Sequence, residues 1–192
     1  MDDLTIERHP LEPFLPEGTQ LLMLGSFPPA RKRWCMDFFY PNFTNDMWRI
    51  WGLLLHEDKD HFVDKEHKTF RQADIMAMLN EKRIGIYDTA TAVCRTRNTA
   101  ADKDLQVVEP TDMDALLERI PQCRAIVTTG EKATGLLCEH FGIRSPKVGS
   151  HTDFTIADRP VRLYRMPSSS RAYPMKIERK AEFYRALLAE LE

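Results

Sequence analysis

Three short stretches of this chain combine residue types that can do chemistry on a ligand. The first is Leu24-Gly25-Ser26-Phe27-Pro28-Pro29. Gly25 permits backbone geometry closed to other residues, and the two prolines stiffen the turn. Main-chain groups in such a turn can approach a ligand closely. The second stretch runs from Phe38 to Trp48, Phe-Phe-Tyr-Pro-Asn-Phe-Thr-Asn-Asp-Met-Trp. Three consecutive rings before Pro41 cannot all enter a core from one regular element, so at least one of Phe38, Phe39 and Tyr40 is expected to line a cleft and stack on a planar ligand. Asn42, Thr44 and Asn45 add amides and a hydroxyl able to read the edge of such a ligand. The third stretch is Met166-Pro167-Ser168-Ser169-Ser170-Arg171-Ala172. Hydroxyls and main-chain amides at the end of a strand can hold phosphate oxygens. Arg171 supplies a cation there, with Lys176, Arg179 and Lys180 just beyond.

Each stretch has a plainer reading. The first is then an ordinary strand-ending loop. The second gives two rings to the core and makes Asn45 a helix cap. The third becomes a serine-rich linker, although linkers seldom sit between a core strand and a final helix. Asp88, ending an apolar run, is placed for the same cleft, although Asp after a strand commonly caps a turn. Arg95 and Arg97 read as a phosphate-facing pair, or else as part of a solvated loop. Asp102-Lys103-Asp104 reads as exposed. His56, His61 and His67 stand five and six apart, which fits no helical metal pair. Cys35, Cys94, Cys123 and Cys138 form no C-x-x-C pair, so neither zinc nor an iron–sulfur cluster is expected. Scattered cysteines fit reduced thiols in a cytoplasmic protein.

The elements that must position these stretches follow from apolar runs and breakers. Residues 1–19, with Pro10, Pro13, Pro16 and Gly18, read as an irregular lead-in. Short apolar strands are expected near 21–25, 84–88, 124–128 and 161–166, the last paired in a hairpin with 154–156. Long loops are expected over 25–43 and 88–104. Helices are expected after Thr44 or Asn45, over 70–79, 112–120 and 131–141, and as a closing helix over 176–191. Gly142 supplies a C-terminal cap for the fourth of them. Strands alternating with helices mean parallel crossovers, and in such sheets ligands bind outside the carboxyl ends of the strands. Those ends are Gly25-Ser26, Asp88-Thr89, Thr128-Thr129-Gly130 and Met166-Pro167-Ser168.

The 192 residues fit one domain. Mixed charges make up 29% of the chain and the net charge is −2, so disorder is disfavoured and nucleic acid is neither favoured nor excluded. No run is long and apolar enough to span a membrane, and Met1 to Glu12 lacks the make-up of a signal peptide. The glycine patterns G-x-G-x-x-G and G-x-x-x-x-G-K-[ST] are absent, which ranks an unrelated nucleotide-binding domain last.

Taken together and in order, G-S-F-P-P, Y-P-N-F-T-N-D-M-W-R-I and P-S-S-S-R-A resemble the uracil-DNA glycosylase superfamily, nearest to its hypoxanthine-DNA glycosylase branch. The likeness runs over about residues 20–190, with Val93-Cys94-Arg95 and Gly130-Glu131-Lys132-Ala133 also resembling that branch. It implies an α/β/α sandwich on a four-stranded parallel sheet of order 2-1-3-4. It implies a monofunctional glycosylase acting on uracil or hypoxanthine in DNA, working as a monomer without metal or organic cofactor. Gly25, Ser26, Phe27 and Pro28, with Phe38, Phe39, Tyr40 and Asn42, would bind the base. Asn45 matches the motif asparagine held to be catalytic in that branch, and Asp88 is the other catalytic candidate. Ser168, Ser169, Ser170 and Arg171 would pinch the DNA backbone, with Arg95, Arg97 and Lys176 flanking. Phe27 and Met166 stand where many superfamily members carry acid–base groups. That departure supports the rival reading of a catalytically silent nucleobase- or nucleic-acid-binding protein on the same scaffold.

Overall fold

A computed structural model describes residues 5–97, 99 and 101–192. The elements in chain order are β1 (Ile6–Arg8), β2 (Leu21–Gly25), α1 (Met47–His56), β3 (Val63–Asp64), β4 (Thr69–Phe70), α2 (Gln72–Lys82), β5 (Ile84–Asp88), β6 (Ala90–Arg95), β7 (Leu105–Pro110), α3 (Met113–Glu118), β8 (Ala125–Thr129), α4 (Glu131–Phe141), β9 (His151–Ile156), β10 (Arg159–Met166) and α5 (Ile177–Tyr184). A 3-10 segment, Arg185–Glu190, continues α5 to the end of the chain.

The central sheet has the order β5-β2-β8-β10-β9. The pairs β2–β5, β2–β8 and β8–β10 are parallel, and β9 is antiparallel to β10. The sheet is therefore mixed and five-stranded, which corrects the expected four-stranded parallel sheet. The added strand is the first arm of the 154–156 hairpin, grown to six residues by pairing from Arg159↔Ile156 to Tyr164↔His151. Its alternating exposed and half-buried residues suit an edge. The strands β2, β5 and β8 are buried along their whole lengths, as continuous apolar runs covered on both faces must be. Trp48 and Trp51 of α1 are fully buried against this core.

The largest departure is a second sheet, order β1-β6-β7, all antiparallel. The sequence reading made β1 part of an irregular lead-in and β6 part of a polar loop. Both depend on long-range pairing: Ile6–Arg8 lies along Ala92–Cys94, and Ala90, Val93 and Leu105 bury against Phe27 in a small satellite core. This sheet holds the first ligand-facing stretch from outside.

Candidate functional site

The carboxyl ends of β2, β5, β8 and β10 converge on one cleft of about 420 Å³. It is lined by Gly25 to Pro29 after β2, by Asp88 ending β5, by Thr129 to Glu131 after β8, and by Arg165, Met166 and Ser168 to Ser170 at the end of β10. Phe39 to Asn42 and Asn45 close one side, and Asp102 reaches in from the segment before β7. The three stretches singled out in the sequence thus meet in one place.

Tyr40 lines the cleft as a half-buried ring. Its backbone sits at φ 50°, in the left-handed region that bulky residues rarely adopt. Its hydroxyl lies 3.0 Å from Thr129 Oγ1. Burial, together with the nearby Asp88 carboxylate, pushes the phenol well above its usual range, so Tyr40 stays neutral. Phe39 lines the cleft from a more buried position. Phe38 does not line it: its ring packs in the core between Phe14 and Phe39, stacked on Trp48, which removes it from the base-binding set.

Asn45 sits one residue before the cap position of α1. Its Oδ1 accepts from the Met47 N–H at 2.9 Å. The cap residue Asp46 makes no such bond, because its carboxylate is committed elsewhere. Asn45 therefore serves the helix with its oxygen while its Nδ2 is left for the cleft. Asn42 turns its oxygen to the N–H and hydroxyl of Thr44.

Asp88 is 6% exposed, yet it lines the cleft. Its Oδ2 lies 2.8 Å from His9 Nε2. Its other oxygen lies against Gly25, where a Cβ would stand 2.6 Å from Asp88 Oδ1 and 3.1 Å from the Tyr40 hydroxyl. Glycine is thus required at position 25 because a carboxylate and a phenol share the space a side chain would fill. The neighbouring Tyr87 phenol is pushed up to about 12 by burial and by Asp88.

Asp102 is not the exposed residue the sequence pattern indicated. Its Oδ1 accepts from Ser26 Oγ at 2.7 Å, and its Oδ2 lies beside Gly130, which opens α4. Burial raises its pKa above the usual carboxylate range; Ser26 opposes the shift and the charge of Asp88 adds to it. His9, which holds Asp88, and Asp102 are among the residues of the site that sequence reasoning missed. They reach Asp88 and Ser26 across separations of 79 and 76 residues, so no spacing could have signalled them.

The cationic residues divide. Arg171 is exposed and reaches Asp46 Oδ1 at only 3.4 Å, leaving its guanidinium available at the rim. Arg97 and Lys176 are exposed but do not line the cleft. Arg95 turns inward instead. It donates to both oxygens of Glu7 at 2.9 and 3.1 Å and to the Pro28 carbonyl at 2.7 Å, and its side chain is 10% exposed. The expected phosphate-facing pair is thereby corrected for Arg95, whose donors are spent fixing the Gly25–Pro29 loop. Lys180 is fully buried and is likewise withdrawn from the cations counted near the serine loop. Ser169 is buried, whereas Ser170 is exposed. Among the described residues no group of His, Cys, Asp or Glu is arranged to hold a metal ion, and no helix is long and apolar enough to cross a membrane.

No protein-family model matches this chain, and no curated protein matches it. Among solved structures, it is similar to the solution NMR structure of a "putative Uracil DNA glycosylase" from Methanosarcina acetivorans. The TM-score is 0.62 and the identity 26%, over 97% of this chain and 99% of that one. The likeness first carried by three loop motifs therefore extends to the whole fold.

Proposed function

We propose that this chain, which has the loop motifs and fold of the uracil-DNA glycosylase superfamily, is a monofunctional DNA glycosylase that releases deaminated bases, uracil or hypoxanthine. The observation that carries this reading is the meeting of Tyr40, Asn45 and Asp88 around one cleft beside the Ser168–Arg171 loop. A base turned out of the duplex would stack on the Tyr40 ring. Uracil and hypoxanthine each present a ring N–H next to a carbonyl. Asp88 can accept from that N–H, and Asn45 Nδ2 can donate to the carbonyl.

The chemistry asked of the site is modest. As the N-glycosidic bond breaks, its electron pair passes to the base and the sugar becomes oxocarbenium-like, as in glycoside hydrolysis. Charge developing on the base is met by the Asn45 amide, a pre-positioned donor. Water then adds to the sugar carbon, and the proton it loses passes to the departing base, leaving a free base and an abasic sugar. Damaged bases also cost less to extrude than paired ones, which favours them as substrates. Arg171 and the serine loop would hold the backbone.

Phe27 gives the silent-binding reading its support, since its buried ring packs with Ala90 and Val93 and offers no proton-transferring group. Incubating duplexes carrying uracil, hypoxanthine or xanthine with the protein, then cleaving with alkali, separates the two readings. Strand breaks at the modified base are expected. Intact strands on every duplex, with binding retained, establish the silent protein instead.

A further inference from the structure

His9 directly follows β1, far in sequence from the three loop motifs, yet both of its ring nitrogens are engaged, one of them by a residue that lines the cleft. The Leu11 N–H donates to Nδ1 at 3.1 Å, which makes Nδ1 an acceptor and leaves the proton on Nε2. Nε2 therefore donates to Asp88 Oδ2 at 2.8 Å. The side chains of the pair are 2% and 9% exposed, so water does not compete for the bond. The imidazole cannot turn away. It lies 4.7 Å from the Tyr87 ring, 5.2 Å edge-on from Phe27 and 6.1 Å from Phe39. The backbone beneath it is fixed as well, because the His9 N–H donates to the Thr91 carbonyl at 2.8 Å. Core packing alone would accept an apolar ring in this aromatic surround. A ring with an oriented donor does more: it satisfies one oxygen of the buried Asp88 carboxylate and thereby fixes the direction of the other.

We propose that His9 is a positioning residue of the base-binding cleft: by holding Asp88 Oδ2, it keeps Asp88 Oδ1 turned past Gly25 toward the ligand. The proposal rests on the reading of the cleft as a base site. It adds to that site a residue and a strand that none of the loop motifs contains. With the bond in place, Asp88 has one oxygen committed and one available, so the carboxylate presents a single acceptor in a single direction. Without it, a buried carboxylate loses its donor and is free to rotate or to bury a proton, and the ring N–H of the base meets no defined partner.

The test is a double-mutant cycle with three variants of the whole protein: His9→Phe, His9→Gln and Asp88→Ala, the last removing every acceptor that His9 could hold. The readouts are the single-turnover rate of base release and the affinity for a duplex carrying an uncleavable 2′-fluorinated deoxyinosine. His9→Phe is expected to lower both by about tenfold or more, the scale of losing a hydrogen bond to a charged group. His9→Gln, which still offers a side-chain N–H, is expected to recover much of that loss. In the Asp88→Ala background, His9→Phe is expected to change either readout by less than about twofold. Equal losses with and without the Asp88 carboxylate would overturn the proposal, because they mean that His9 acts only through packing. A long-range ¹H–¹⁵N imidazole spectrum gives a check that needs no activity: Nε2 must carry the His9 proton, and an Nδ1-protonated ring overturns the assignment. If the wild type releases no base, the glycosylase reading fails, while the affinity cycle and the spectrum still decide the role of His9.

Discussion

Lys180 Nζ lies 3.0 Å from Asp46 Oδ2, and both side chains are buried. The same ammonium donates to the Ser170 carbonyl at 2.8 Å, and the Asp46 N–H donates to the Ser169 carbonyl at 2.9 Å. One buried ion pair thus fastens the serine loop to the start of α1 and to α5. It also explains why Asp46 leaves helix capping to Asn45.

Replacing Lys180 by Met should leave the buried Asp46 carboxylate with only its loose contact to Arg171. Breaking a buried pair from one side costs about 3–5 kcal/mol. Urea denaturation should show that loss, and adding Asp46→Asn, which removes the stranded charge, should return part of it. An unchanged midpoint in Lys180→Met would mean that the pair does not hold the loop.

Asn45→Ala should separate catalysis from folding. Loss of an aimed donor to developing negative charge is worth about 2.7–4 kcal/mol, or a hundredfold or more in rate. The lost bond to the Met47 N–H should cost about 1 kcal/mol of stability, visible as a small fall in Tm. Full activity in the variant would remove Asn45 from the chemistry.

Arg171→Ala should weaken DNA binding by a similar factor for every sequence and lower the salt slope by about one. Its guanidinium is half exposed and only loosely tied to Asp46, so the fold should not register the change. Titrations at several salt concentrations check both points. Lys180, although close in sequence, should give the opposite pattern, with stability lost first.

Asp102→Asn should stabilise the protein in a pH-dependent way. Burial raises the native carboxyl's pKa above its unfolded value, so the native state holds this proton to higher pH than the unfolded chain. Stability from this group therefore falls as pH rises from the ordinary carboxylate range through the native pKa. The amide carries no such penalty and can still accept from Ser26 Oγ. Tm should then be higher than wild type near neutral pH and no higher at about pH 3, where the carboxyl is protonated in both states. A gain of equal size at both pH values would contradict the buried-carboxylate account.

Much of the frame is legible in the sequence because local rules decide it. Leu21–Leu24, Ile84–Tyr87 and Ala125–Val127 are unbroken apolar runs, and only strands covered on both faces need them. α4 begins at Glu131 and ends at Phe141, as read from its pattern, with Gly142 at φ 61° just beyond it. The placing of Asp88 at the cleft follows from its position at the end of a strand. β1 and β6 are illegible for the opposite reason: a three-residue strand has no period to read, and β6 is a strand only because β1 and β7 flank it. Arg95 and Lys180 look like surface cations until Glu7 and Asp46, distant in sequence, are brought to them. The same holds for Asp102, which reads as exposed beside Lys103 and Asp104 until Ser26 is folded against it.

The strand that leads into His9 has a consequence for how the cleft comes to exist during folding. β1 is three residues long, and its Ile6 remains 53% exposed. Among the described residues it pairs only with β6, whose residues arrive more than eighty positions later in the chain. Such a strand gains little until the central sheet is already built, while closing so long a loop must be compensated first. The polypeptide can therefore reach a compact, mostly native core with its ligand cleft still unfinished. In the finished molecule the same arithmetic makes β1 the low-stability end of the structure, open more often than the sheet beneath it. Amides of Ile6 to Arg8 should lose their protons to solvent exchange well before those of Leu22 or Ile126, and each such opening would disarm Asp88 without unfolding the protein.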